Sequence, residues 1–312
     1  MTDDRSYTTE EVSKILKVSK LTVYDLIKKG KLPAYQVGRQ KRIEAKDLEA
    51  YINQTKSGLP QMNGKVTHHN IEDSSASLRS IIISGQDMVL DMLGSLIEKS
   101  HPGYRSLRSY EGSLNSLISM YKGECDIVSM HLFDGDTGEY NIPYVKKILV
   151  NDRYIVLNLL SRRAGFYVQQ GNPKQIKSWE DLTDSNVKIV NREKGSGART
   201  LLDEQLRIHH ISTSTINGYD QEETNHLAVA AAIAQGKADA GVGIEKAAKI
   251  VGVEFIPLIK ERYDIVLIKS EQNLELIDII KSHLLSDSFK KEIESIGGYD
   301  VSMTGSIIYE TC

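Results

Sequence analysis

The run Asn191-Arg192-Glu193-Lys194-Gly195-Ser196-Gly197-Ala198-Arg199 stands between an apolar strand pattern, Val187 to Val190, and an apolar helix pattern, Thr200 to Leu206. The chain must pass here from a buried strand into a helix within a few residues, which sets a helix amino terminus at the edge of a sheet. Such a start collects anions, because first-turn N–H groups lack partners and the positive end of the macrodipole points the same way. Glycine on both sides of Ser196 lets a ligand approach the backbone, a need that an ordinary capped helix does not have. Arg192, Ser196, Gly197 and Arg199 are therefore candidate ligand contacts.

The rest of the body repeats this alternation. Strand patterns at Ser80 to Ile83, Tyr104 to Ser109 and Cys125 to Met130 are interleaved with helix patterns at Asp87 to Lys99 and Glu111 to Tyr121. A second series continues through helices at Thr200, Thr224 to Ala234 and Glu245 to Ile250, with strands at Ala238 to Val242 and Glu254 to Ile259. Alternation of this kind predicts a parallel α/β sheet in each series, with ligand-binding loops at the strand ends facing one cleft. The loops Ser84-Gly85, Tyr110-Glu111-Gly112-Ser113 and Ser129-Met130-His131 offer hydroxyls or N–H groups there. Ser84, Gly85, Gly112 and Ser113 join the ligand set, with Thr224 next; His131 and His226 read first as structural groups, and Glu111 is expected to point away from an anion.

At 312 residues the chain is too long for one small core, and two or three compact units are expected. No apolar run approaches the roughly 18 to 20 residues of a membrane span, and Met1-Thr2-Asp3-Asp4-Arg5-Ser6 has no signal-peptide pattern, so a cytoplasmic protein without membrane contact is expected. Cys125, in a core segment, and Cys312 make neither a disulfide framework nor a metal spacing, and the adjacent pair His68-His69 reads as solvent-exposed. The net charge of -3 conceals an asymmetry: residues 1–56 hold 12 basic against 8 acidic residues, net +4, while the remainder is net -7. A basic head on an acidic body points to a polyanion partner for the head.

The head explains that charge. Thr8-Thr9-Glu10-Glu11 opens a helix through Val12, Ile15 and Leu16; Ser19 caps a second one through Val23, Leu26 and Ile27, which ends at Lys28-Lys29-Gly30. Helix, short turn, helix is the arrangement that places a second helix in the DNA major groove. Two short strands follow around Gly38, with Arg39, Lys41 and Arg42 at or beside the tip, a wing suited to phosphate contact. Lys46 to Asn53 closes the small core. Residues 7–53, through Thr8, Glu11-Val12, Val18-Ser19, Thr22-Val23-Tyr24, Leu32-Pro33-Ala34, Val37-Gly38-Arg39 and Arg42-Ile43, resemble the winged helix-turn-helix of the excisionase and MerR-like families. The resemblance implies DNA contact by Lys20, Thr22 and Tyr24 at the start of the recognition helix and by Arg39, Lys41 and Arg42 in the wing; packing in the core is an equal reading for Tyr24.

The body resembles the periplasmic-binding-protein-like domain related to molybdate- and tungstate-binding proteins. The motifs that carry this run from Gly112-Ser113 and Lys122-Gly123-Glu124-Cys125-Asp126 through Gly171-Asn172-Pro173 and Asn191-Arg192 to Gly195-Ser196-Gly197-Ala198-Arg199, Glu223-Thr224-Asn225-His226 and Glu261-Arg262-Tyr263-Asp264. Ala198 stands where the family pattern has threonine, which removes one hydroxyl ligand. The expected organisation is a winged helix-turn-helix over 1–56, a linker over 57–78 and a two-lobed type II domain over 79–312. Lobe 1 takes about 79–162 and 263–312, and lobe 2 about 163–262. Two strands cross between the lobes, near Ser161 to Gly165 and Arg262 to Ile265, and helices at Leu274 to Leu285 and Phe289 to Ile296 pack back on lobe 1. The function implied is a one-component transcriptional regulator that senses molybdate or tungstate and binds double-stranded DNA as a homodimer or higher homo-oligomer. The alternative is the same architecture sensing a small organic anion or a sulfate-like ligand. No paired carboxylates, Cys/His dyad or metal cluster stand in the cleft loops, so neither catalysis nor a metal or other cofactor is expected, metal entering only as an oxyanion.

Overall fold

The structure, a computed structural model, describes residues 6–16, 23–24, 26–27, 32–37, 40–48, 51 and 78–312. The chain divides into two compact units, Met1–Ser74 and Ser75–Cys312. In the first, β1 (Ser6–Thr8) leads into α1 (Thr9–Leu16). The turn between them is a reciprocal cap, with the Thr8 N–H donating to Glu11 Oε2 at 2.8 Å and the Glu11 N–H to Thr8 Oγ1 at 3.3 Å. β2 (Tyr35–Val37) and β3 (Gln40–Glu44) form the antiparallel wing, with β1 added to the outer side of β3. Val12, Val23, Leu32, Ile43 and Leu48 make its core. The proposed cap Ser19, the helix end Lys28-Lys29-Gly30, His68-His69 and the linker up to residue 77 lie outside the described residues.

The second unit is built around two long strands. β7 (Tyr154–Val168) and β11 (Glu254–Ile268) pair antiparallel along their length and run through both lobes. Around them the sheet order is β10-β7-β11-β6-β4-β5, where β4 is Arg79–Ser84, β5 Tyr104–Ser109, β6 Ile127–Met130 and β10 Ala240–Ile244. β4 is parallel to both β5 and β6, as βαβ crossovers require. Lobe 2 is mixed and not wholly parallel: the predicted segment Val187 to Val190 bridges parallel to β10, and β10 and β11 run in the same direction, but β7 stands between these two and pairs antiparallel with both. The predicted strand Val187 to Val190 is reduced to isolated bridges followed by the two-residue β8 (Asn191–Arg192), which pairs with β9 (Glu222–Glu223).

The helices of lobe 1 are α2 (Val89–Ser100), α3 (Ser113–Tyr121), α4 (Ile142–Ile148), α8 (Leu274–Leu285) and α9 (Asp287–Ile296). Those of lobe 2 are α5 (Gly197–Ile208), α6 (His226–Ala234) and α7 (Glu245–Val251). Lobe 1 packs Leu90, Leu93 and Ile97 of α2 and Ile277 and Ile280 of α8 on Ile81, Ile83 and Ile265. Lobe 2 has its own apolar clusters, one around Phe166, Trp179, Leu201 and Leu202 and one around Tyr167, Val229 and Ile233. Each lobe thus buries its own core, with Phe133 and Tyr140 of the lobe 1 segment joining that of lobe 2, and the lobes are linked by the pair of crossing strands together with short contacts between them. The Leu114 N–H donates to the Gly195 carbonyl at 3.0 Å, the Gly135 N–H to Glu204 Oε2 at 2.7 Å, and Arg207 pairs with Asp136 at 2.8 Å. Among the described residues no helix is long and apolar enough to cross a membrane.

Candidate anion-binding cleft

Between the lobes lies a cleft of about 230 Å³. Its wall is made of helix starts: Gly85 to Met88 before α2, Gly112 and Ser113 at α3, Ser196 and Gly197 at α5, and Asn225 to Leu227 at α6. Each brings unpaired N–H donors and the positive end of its dipole to the same space. At α5 the Arg199 N–H is taken by Ser196 Oγ at 3.3 Å and the Thr200 N–H by the Ser196 carbonyl. The N–H groups of Gly197 and Ala198 keep no protein acceptor among the described residues. Ser113 Oγ accepts the His131 N–H at 3.3 Å. Both serine oxygens are thus fixed as acceptors, and their hydroxyl hydrogens remain to be given to a ligand.

Of the residues expected at the ligand, Gly85, Gly112, Ser113, Arg192, Ser196 and Gly197 line the cleft. Arg192 is buried, and its guanidinium is forked by the neighbouring Glu193, Nε to Oε2 at 2.7 Å and Nη2 to Oε1 at 2.8 Å. Gln86, from lobe 1, accepts from Nη2 at 2.7 Å and so ties the pair across the cleft. Nη1 makes no hydrogen bond among the described residues. Gly197 is required by contact: a Cβ there would lie 2.4 Å from the His131 ring.

Three expected contacts lie elsewhere. Ser84 is fully buried behind the cleft wall, its hydroxyl 2.8 Å from that of Ser116. Thr224 presents its carbonyl to Arg192 Nη2 at 3.3 Å and does not line the cleft. Arg199 points the other way, because one helical turn on stands Asp203, which accepts from Nε at 3.0 and 3.1 Å. Its Nη1 donates to Glu222 at 2.9 Å and to the Arg192 carbonyl at 3.5 Å, and the guanidinium stacks 4.3 Å from the Tyr219 ring. Arg199 therefore braces β8 and β9. Glu111, expected to point away, is among the residues that line the cleft, and its carboxylate accepts the Ser119 hydroxyl at 3.0 Å.

In the head, Lys20, Thr22 and Arg39 lie outside the described residues. Tyr24 is 41% exposed, which favours its surface reading over packing in the core; its hydroxyl is 3.5 Å from Thr9 Oγ1, and Lys41 Nζ is 6.0 Å from the ring centroid. Arg42 donates to the Ser6 hydroxyl at 3.3 Å.

The floor of the cleft is a chain of charges that the sequence reading did not assign. Arg162 faces Glu261 in the β7–β11 ladder where the strands cross, donates to it through Nε, and meets Asp87 at 2.6 Å. Tyr263 lies under the guanidinium at 4.6 Å, and the Tyr299 hydroxyl donates to Asp87 at 3.1 Å. Glu261 also holds His131 Nδ1 at 3.2 Å. Burial pushes the Glu261 carboxyl up, but Arg162 and His131 outweigh it and hold it below the usual carboxylate range. His226 faces His131 with ring centroids 6.5 Å apart; its Nδ1 is enclosed without a hydrogen-bond partner among the described residues. Burial, reinforced by Arg192 and Arg162, lowers the His226 imidazole well below its ordinary value. These partners are far apart in sequence, so only Arg192-Glu193 and the Arg199 to Asp203 spacing could have been read locally.

Residues 94–282 match the family described as PBP superfamily domain, and residues 6–56 match a helix-turn-helix domain. The uncharacterized protein YvgK of Bacillus subtilis (strain 168) is 47% identical over 312 residues, covering 100% of both chains. Among solved structures, the sulfate-binding protein SubI from Mycobacterium tuberculosis H37Rv has a TM-score of 0.52 at 13% identity, over 71% of this chain and 86% of its own. An ABC-type phosphate transport receptor from Vibrio cholerae has a TM-score of 0.50 at 19% identity, over 71% of this chain and 99% of its own. The chain therefore belongs to the PBP superfamily domain family, with a helix-turn-helix domain preceding its two-lobed α/β body.

Proposed function

We propose that this chain is a one-component, ligand-responsive transcriptional regulator whose cleft takes a small oxyanion, molybdate or tungstate, and whose head binds double-stranded DNA in the cytoplasm. The observation that carries the reading is the convergence of four helix starts, α2, α3, α5 and α6, on one cleft that also holds Arg192 and the hydroxyls of Ser113 and Ser196. Helix dipoles and N–H donors hold a compact anion. The likeness to sulfate- and phosphate-binding proteins supports the fold for this task. Binding and not turnover is the role proposed for the body; in support, the Ser113 and Ser196 oxygens accept backbone N–H groups, and no general base is hydrogen-bonded to either among the described residues.

Ligand held by both lobes favours closure about β7 and β11. In a homodimer or higher homo-oligomer that motion changes how two heads meet paired half-sites. A second reading, a small organic anion, is favoured by the apolar rim of Met88, Leu227 and Ile250, each exposed at the cleft.

The test is calorimetry and thermal shift of the full chain against molybdate, tungstate, sulfate, phosphate and short carboxylates. Selective molybdate or tungstate binding, with a rise in melting temperature that follows ligand concentration, is the expected outcome. Heat with a carboxylate and none with either metal oxyanion would give the site to the second reading.

A further inference from the structure

Not every cation of the cleft is held directly by a carboxylate among the described residues. Arg162 meets two carboxylates, Asp87 and Glu261, and Arg192 is forked by Glu193. Lys246, in the first turn of α7, lines the same cleft and forms no ion pair among the described residues. The acid beside it is engaged elsewhere: Glu245 pairs with Arg163 at 3.3 Å and with Lys249 at 3.0 Å. The Lys246 ammonium instead reaches from lobe 2 to lobe 1, 3.2 Å from Met88 Sδ and 4.9 Å from the centroid of the Tyr299 ring. Neither partner carries a formal charge.

We infer that Lys246, a cleft cation with no ion-pair carboxylate among the described residues, supplies the ammonium by which the cleft holds an anion, while Arg192, paired with Glu193, supplies direction. A partly desolvated cation without a carboxylate is costly, and an anion placed beside it recovers that cost. Burial lowers the ammonium below the usual lysine value, with Asp87 acting in the opposite sense, which agrees with a charge that is short of partners. Because Lys246 bridges to the rim of lobe 1, the same charge would favour the closed cleft when the anion is in place. The inference rests on the anion reading of the cleft.

Two tetrahedral anions of similar size and different charge, tungstate and perrhenate, separate charge from shape. Coulomb energy scales with ligand charge, so the loss on removing Lys246 should be squared on passing from the monoanion to the dianion. In the full-length chain, Lys246→Gln is expected to weaken perrhenate about fivefold and tungstate about twenty-five-fold by calorimetry. Lys246→Arg, which keeps the charge, should remain within about threefold of the wild type for both. The side chain is only partly buried, so equal melting temperatures of the ligand-free variants would confirm that the fold is intact. A tungstate loss below about twofold, or the same factor for both anions, overturns the role of Lys246. A wild-type chain that binds neither anion overturns the metal-oxyanion reading itself, and with it the role of Lys246 toward such a ligand.

Discussion

Replacing Gly197 by alanine places a methyl group 2.4 Å from the His131 ring, and the two residues belong to different lobes. The ring has little room to yield, being held by Glu261 at 3.2 Å and packed beside Tyr263 at a centroid distance of 5.3 Å. Overpacking of this kind costs about 1–3 kcal/mol. Separation of the lobes relieves the clash, so the penalty falls on closure and not on either core. A closure penalty of that size weakens a ligand that requires closure by roughly 5- to 150-fold. A control sits within lobe 1. At Gly85, φ is +143° and a Cβ would lie 1.9 Å from Ser129 Oγ, a clash that opening cannot relieve. Calorimetric titration with tungstate and melting of the ligand-free chain distinguish the two. Gly197→Ala should lose affinity with a nearly unchanged melting temperature, whereas Gly85→Ala should lose about 2–4 °C for each kcal/mol of strain. Tungstate affinity within twofold of the wild type in Gly197→Ala, or a melting loss equal to that of Gly85→Ala, would refute the argument.

Arg199→Gln should lower the melting temperature, because it strips Asp203, Glu222 and the Tyr219 stack of their cation; about 1–3 kcal/mol is expected, as both acids are about a third exposed. Its ligand affinity should fall less than that of Arg192→Gln, and the reverse order in calorimetry would return Arg199 to the ligand. Stability of the body should decline with acid in two stages. His226 is lowered in the fold, so the unfolded chain takes up its proton first, and stability falls as pH drops below about 6.5, by at most about 1.4 kcal/mol per pH unit until the folded value is reached. Glu261 is depressed in the fold, so its contribution is present above its ordinary value near 4.5 and is lost as pH falls below it. Melting curves between pH 7.5 and 4 should show both stages, and His226→Gln should remove the upper one; a melting temperature flat from pH 7 to 5 would contradict the buried neutral histidine.

The head and the two-lobed body were legible in sequence because their signals are local. Caps such as Thr8 with Glu11, glycines at helix starts, and apolar periodicity each act within one or two turns of the chain. The same locality explains why Gly112-Ser113 and Arg192 with Ser196-Gly197 could be assigned to the cleft. Arg199 went astray although a local sign was present: Asp203 lies one turn on, and an i,i+4 pair competes with a ligand for the same guanidinium. Alternation did not show that β7 inserts antiparallel between β10 and β11, which makes the sheet of lobe 2 mixed.

What residue order settled by itself was a helix start that must bind or shed negative charge, placed behind a basic head. Tertiary structure alone decided which charges remain available there. Arg162 finds Asp87 at a separation of 75 residues and Glu261 at 99, and Lys246 has no ion pair among the described residues while Glu245 beside it turns to Arg163 and Lys249. The reason is physical: backbone dipoles and caps are set by neighbours along the chain, whereas Coulomb compensation depends on distance in space, which folding creates.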